Sequence, residues 1–121
     1  MEKMENSHFV NFFGGTPLIR AVDFLIENKL FDYTKTEIAD GAEISRMSLY
    51  KIWNAISTYG IVKPTRKIGR ATLYRLDDSN PTVQKLIELD FRLSTEFAEG
   101  LAKKQQLSAA YGKHKVPQTV I

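Results

Sequence analysis

The sequence predicts a mostly α chain carrying one small β-hairpin, an α+β architecture closed by a long C-terminal helix. Three observations carry this expectation. Hydroxyl, amide or proline signals open four segments whose apolar residues recur at helical spacing, at Thr16-Pro17, Thr34, Ser45 and Asn80-Pro81. The stretch Ile61–Leu76 is instead β-branched and broken by Gly69-Arg70, as a hairpin is. With 121 residues and 43% hydrophobic content, the chain has apolar material for one modest core and no second one.

Taken in order, residues 1–15 hold His8, Phe9, Val10, Phe12 and Phe13 before Gly14-Gly15, and are read as a greasy arm ending in a flexible joint and packing on the body or on a second subunit. A first helix is expected over 17–29, with Leu18, Val22, Leu25 and Ile26 on one side. Thr34 and Glu37 fit a capping box for a short helix ending near Gly41. Ser45 caps the next helix, 46–59, while Ile44 and Leu49 flank it as a hydrophobic staple. Its apolar stripe is Leu49, Ile52, Trp53 and Ile56, and Met47, Tyr50, Lys51, Asn54 and Thr58 face the other way. In the returning strand, Thr72, Tyr74 and Leu76 are expected on one face with Leu73 and Arg75 on the other, and Pro64 is confined to an edge. From Val83 the apolar spacing predicts a helix over 80–104, roughly 36 Å long, more than a domain this small needs to cover its own core. Residues 105–121 lack periodicity and are read as a flexible tail.

Charge is sorted along this chain. Ile44–Leu76 spans 33 residues without one Asp or Glu and carries Arg46, Lys51, Lys63, Arg66, Lys67, Arg70 and Arg75. The whole chain is only +3, so the remainder holds 10 basic residues against 14 acidic ones. A concentrated positive surface on a mildly acidic body is the footprint of docking on phosphates, since each cation placed there releases counterions.

Other function classes find little support. There is no Cys, so disulfides, thiolate metal sites and cysteine nucleophiles are excluded, and His8 and His114 stand alone near opposite ends. No phosphate-binding loop and no nucleophile with a histidine base occurs, so an enzyme is not expected, nor any metal or cofactor. No apolar run approaches the ~20 residues that span a bilayer, and a soluble, cytoplasmic protein is expected.

The order helix, short capped helix, turn, capped helix, basic hairpin, long helix is the winged helix-turn-helix plan. Glu37-Ile38-Ala39, Ala42, Ile44-Ser45-Arg46, Leu49 and the Ile52, Trp53, Ile56 stripe resemble the helix-turn-helix of the ArsR and MarR superfamilies. Gly69–Leu76 followed by Asn80-Pro81 looks like the wing and exit of small archaeal winged-helix transcriptional regulators. The resemblance covers about residues 16–100, the DNA-binding domain being 16–79. Glu43 stands where many such proteins have Gly, and the Asp-x-Arg wing motif common in MarR-like proteins is absent, which tilts the resemblance toward the ArsR-like or archaeal branch.

That resemblance implies a sequence-specific regulator on double-stranded DNA, with the 46–59 helix in the major groove and the wing on backbone or minor groove. Arg46 and Lys51 are then candidates for guanine edges or phosphate, Asn54 for adenine, and Ser45 and Ser48 for phosphate. Met47 and Tyr50 are candidates for thymine methyls or sugar, or else pack on the preceding helix. Lys63, Arg66, Lys67 and Arg70 would supply sequence-independent affinity. A homodimer on a pseudopalindrome is expected, through Phe9, Phe12, Phe13, Leu86, Leu89, Leu93, Phe97 and Leu101, with Asp90 making the seam partly polar. The alternatives are a replication or plasmid-maintenance DNA-binding factor and a protein–protein adaptor, which has no need of four cations around Gly69. Whether a small-molecule effector exists is left open.

Overall fold

Each central helix begins where a side chain satisfies its free amides. In this computed structural model, which describes the backbone of residues 6–111 and the side chains of 6–96, helix α2 runs Pro17–Glu27 behind Thr16, whose Oγ1 accepts from the Ile19 amide at 3.4 Å. Helix α3, Lys35–Ala42, has the complete capping box: Thr34 Oγ1 accepts from the Glu37 amide at 3.1 Å and Glu37 Oε1 accepts from the Thr34 amide at 2.9 Å. Helix α4, Arg46–Thr58, starts at Ser45, which accepts from the Ser48 amide at 3.0 Å.

The N-terminal segment departs from the expected arm. It forms a helix, α1, over His8–Phe13, capped by Ser7. Ser7 Oγ accepts from the Val10 amide at 3.1 Å and donates to Asp23 Oδ1 at 2.8 Å, tying α1 to α2. Phe9, 1% exposed, belongs to the main core, so it has no surface left to offer a second subunit. The cause is amphipathicity over a single turn pair: Phe9 and Val10 turn inward while Phe12 and Phe13 stay outside.

Helix α2 is the centre of the core. Its Ala21, Val22, Leu25 and Ile26 meet Ile38 and Ala39 of α3 and Leu49 and Ile56 of α4, with Ile61, Leu76 and Val83 completing the cluster. Helix α3 ends near Gly41 as expected, at Ala42; Gly41 itself lies inside it, and the Phe24 ring packs so closely over it that a Cβ there would collide with the ring. The stop is Glu43, which takes the left-handed conformation at φ 60°, ψ 44° so that the Ile44 amide can reach the Ala39 carbonyl at 3.0 Å. A side chain in this conformation is strained by about 1 kcal/mol. Glu43→Gly is therefore expected to stabilise the fold by about 0.5–1 kcal/mol, read as a rise in the urea midpoint at unchanged slope.

Strands β1 (Val62–Ile68) and β2 (Ala71–Leu76) pair antiparallel from Val62↔Leu76 to Ile68↔Ala71. Gly69, at φ 64°, opens the two-residue turn between them. On its other edge β2 holds a single bridge to Tyr33, with both amide–carbonyl bonds at 2.8 Å. The inner strand is thus β2, and Pro64 sits on the outer one, where its missing donor costs nothing. Leu73 and Leu76 are both buried, Leu76 within the main core cluster and Leu73 outside it, so both faces of β2 are covered. A register shift between Pro64 and Arg66 puts a bulge at Thr65, whose Oγ1 lies 3.3 Å from the Leu73 carbonyl oxygen it donates to.

Helix α5 runs Pro81–Tyr111, past the expected end near 104, so residues 105–111 are helical rather than loose. Its extension has a local reason, because Gln105–Tyr111 contains no breaker before Gly112. Residues 112–121 lie outside the described part.

Candidate nucleic-acid interface

The outer face of α4 is built by exclusion. Leu49 and Ile56 are fully buried and Ile52 and Trp53 half-buried, so 100° steps leave Arg46, Met47, Tyr50, Lys51, Asn54 and Thr58 in solvent. Met47 is 63% and Tyr50 60% exposed, which sets aside packing on α3 as their role. Ser45 is occupied as a cap and its hydroxyl also donates to Ser48 Oγ at 3.0 Å, which leaves the Ser48 O–H as the donor still available.

Beside this face stands the wing. The structure fastens α4 to it through a stack: the Trp53 and Tyr74 rings meet edge-on at 4.9 Å, and Lys35 Nζ lies 4.7 Å from the Trp53 ring centroid and 6.0 Å from that of Tyr74. Helices α3 and α4 and strand β2 therefore converge on one cluster.

The seven cations of the charge island do not share one fate. Lys67 and Arg70 are exposed at the wing tip and Arg46 and Lys51 on α4, and none of the four has a carboxylate partner within ion-pair distance among the described residues. Arg66 does. Its Nε donates to Asp32 Oδ2 at 2.9 Å and its Nη2 to Oδ1 at 3.1 Å, while Thr65 Oγ1 donates to Oδ2 at 2.6 Å. This corrects the expectation that Arg66 stands ready for phosphate, since its charge is matched by a bidentate carboxylate. Lys63 is partly matched as well, 3.9 Å from Asp77. Arg75 is half-buried, its Nε out of solvent and lacking an acceptor among the described residues.

The Arg66 and Thr65 donors hold the Asp32 carboxyl at about 2, below its ordinary 3.8. Because the folded value is depressed, this contribution to stability is present above pH 3.8 and is lost as pH falls toward 2. Asp32→Asn is expected to be less stable than the native chain at pH 5 and to converge with it near pH 2, in urea titrations at each pH.

On α1 and α5, Phe12, Phe13 and Phe91 are exposed, with Phe12 and Phe13 edge-on at 5.0 Å. Leu86 and Leu93 pack partly against the core and Leu89 is half-buried. Phe97 and Leu101 fall among side chains outside the described part. Burial raises the carboxyls of Asp90 and Asp23 above their ordinary range, placing a polar element near the expected seam. Phe91 was absent from the predicted stripe because it sits off the three-and-four spacing.

Two further residues escaped sequence reasoning. Asp32 lies 34 positions before Arg66, and nothing local announces their contact. Lys35 precedes the acid-free stretch and so was not counted with it.

No protein-family model matches this sequence, and no curated protein is similar to it by sequence. Solved structures are. MepR of Staphylococcus aureus, a transcription regulator of the multidrug efflux pump MepA, superposes with a TM-score of 0.57 at 14% identity, over 86% of this chain and 79% of its own. A MarR-family transcriptional regulator from Silicibacter pomeroyi superposes at 0.51 with 13% identity, over 88% of this chain and 80% of its own. The chain has the MarR-type winged-helix fold. Sso10a-2, a DNA-binding protein from Sulfolobus solfataricus, shares it at a TM-score of 0.51 and 12% identity, over 78% of this chain and 96% of its own. Within the MarR-type fold, α3 and α4 are the helix-turn-helix, β1 and β2 the wing, and α1 and α5 the flanking helices. Among the described residues no helix is long and apolar enough to cross a membrane.

Proposed function

We propose that this chain is a transcription regulator that binds double-stranded DNA, with α4 in the major groove and the wing tip on the backbone or in the adjacent minor groove. The observation that supports it most is the placement of Arg46, Lys51, Lys67 and Arg70, exposed and without an ion pair among the described residues, on the two elements this fold turns toward nucleic acid. Solved proteins of the same fold that are named as transcription regulators and as a DNA-binding protein support the same assignment. Asn54 and Tyr50 are the base-reading candidates, and Ser48 donates to a phosphate. Catalysis has no part in it.

The protein works as a homodimer, α1 and α5 supplying the contact through Phe12, Phe13, Leu89 and Phe91. Two recognition helices then lie about 34 Å apart, one duplex turn, and a pseudopalindrome is the target. Light scattering at twice the chain mass is the expected result, and the chain mass alone excludes the dimer.

Duplex affinity measured over rising salt tests DNA binding. Arg70→Ala is expected to lower the log–log salt slope by about 0.9, the value for one phosphate contact. Arg66→Ala leaves the slope nearly unchanged, because Asp32 already matches that charge. Native protein whose duplex binding is absent or indifferent to salt overturns the assignment.

A further inference from the structure

Between the start of α3 and strand β2 lies a cleft of about 280 Å³, lined by Thr34, Lys35, Thr36, Arg70, Thr72 and Tyr74. It was not among the contacts read from the sequence. Its chemistry is one-sided: two cations, three threonine hydroxyls and the Tyr74 phenol line it, and no carboxylate is among the lining residues. The nearest acidic side chain in sequence, Glu37, is not among the lining residues and is engaged as acceptor from the Thr34 amide at 2.9 Å. Lys35 has no ion pair within the described residues, and the aromatic faces of Trp53 and Tyr74 hold its ammonium in place, so little side-chain freedom is left to lose on binding. Arg70 enters from the wing, so the two charges come from separate elements and converge.

We infer that this cleft binds one phosphodiester of the duplex backbone, with Lys35 and Arg70 supplying the charge and Thr36 and Thr72 hydroxyl donors. A free phosphate ester fits the same chemistry. The duplex is favoured because the cleft is continuous with the proposed interface: Arg70 belongs to both, and Trp53 of α4 forms the support beneath Lys35. This inference rests on the DNA-binding assignment above and adds a contact outside the recognition helix. A phosphate gripped here is read without regard to sequence, so the cleft fixes how the duplex sits across the wing rather than which bases are chosen.

Fluorescence anisotropy with a duplex in rising salt tests it on the full chain. Lys35→Gln is expected to lower the salt slope by about 0.9, while Lys35→Arg and the remote Lys85→Gln keep the native slope. Thr36→Glu guards against a folding artefact. A carboxylate in the first turn of α3 favours the helix, so thermal stability is maintained or raised. The same carboxylate occupies the cleft, and duplex affinity falls at least tenfold. A native slope for Lys35→Gln, or native affinity for a folded Thr36→Glu, overturns the cleft while leaving the DNA-binding assignment in place. If native protein shows no duplex binding at all, that assignment fails and the cleft with it. Inorganic phosphate that protects the native chain against thermal unfolding, but not Lys35→Gln, in the absence of duplex binding identifies a free ester as the occupant and overturns the proposal.

Discussion

Replacing Arg46, Lys51, Lys67 and Arg70 together by Gln is expected to weaken duplex binding by about three to four orders of magnitude near 0.1 M salt. The figure follows from counterion release: each phosphate contact contributes roughly 0.9 of a decade in affinity per decade of salt, and four contacts are removed. All four side chains are exposed, so stability should stay within about 0.5 kcal/mol of the native chain. The separation matters, because a loss of binding with an intact melting curve can only come from the surface. Anisotropy titration at 0.1 M salt checks it, and a loss smaller than tenfold would mean that the interface lies elsewhere on the molecule.

The second large effect concerns α1. Phe9→Ala is expected to cost about 3–5 kcal/mol, the range for emptying a buried aromatic site, and to lower Tm by roughly 10–20 °C in a domain of this size. Phe9 is 1% exposed and packs in the same cluster as Leu25 of α2 and Val83 of α5, so its loss opens a hole inside one chain. The drop should therefore be the same at low and high protein concentration. Were Phe9 an intersubunit residue, its loss would act through dimer dissociation and grow on dilution. Phe12→Ala, at 62% exposure, provides the contrast: little change in the melting of the single chain, with its effect confined to association.

What was legible in the sequence was local. The caps at Thr16, Thr34, Ser45 and Asn80 depend on a side chain reaching an amide two or three residues away, and each is in place. The inward and outward faces of α4 follow from a 3.6-residue period and hold residue by residue. The turn glycine of the wing was also readable, because only one residue type takes that conformation without strain.

The errors share a different cause. Arg66 was assigned to phosphate because its neighbours in sequence are basic, yet its partner lies 34 positions away and meets it only after Tyr33 bridges β2. Phe9 was open to the body or to a second subunit, and was counted toward the dimer seam, until α2 and α5 are seen beside it. In each case tertiary placement decided the role and the local pattern did not. The candidate interface was correspondingly half readable: the face of α4 was, whereas the matched charge at Asp32 and the Lys35 cleft were not.

The Trp53–Tyr74 stack has a mechanical consequence. A hinge between wing and recognition helix would let the two splay to suit any groove. Rings clamped edge-on, with an ammonium above them, instead fix the jaw opening of the molecule like that of a caliper. A duplex seated in such jaws has to do the adjusting, so sequences that narrow or bend easily at the wing should be preferred even where no side chain touches a base.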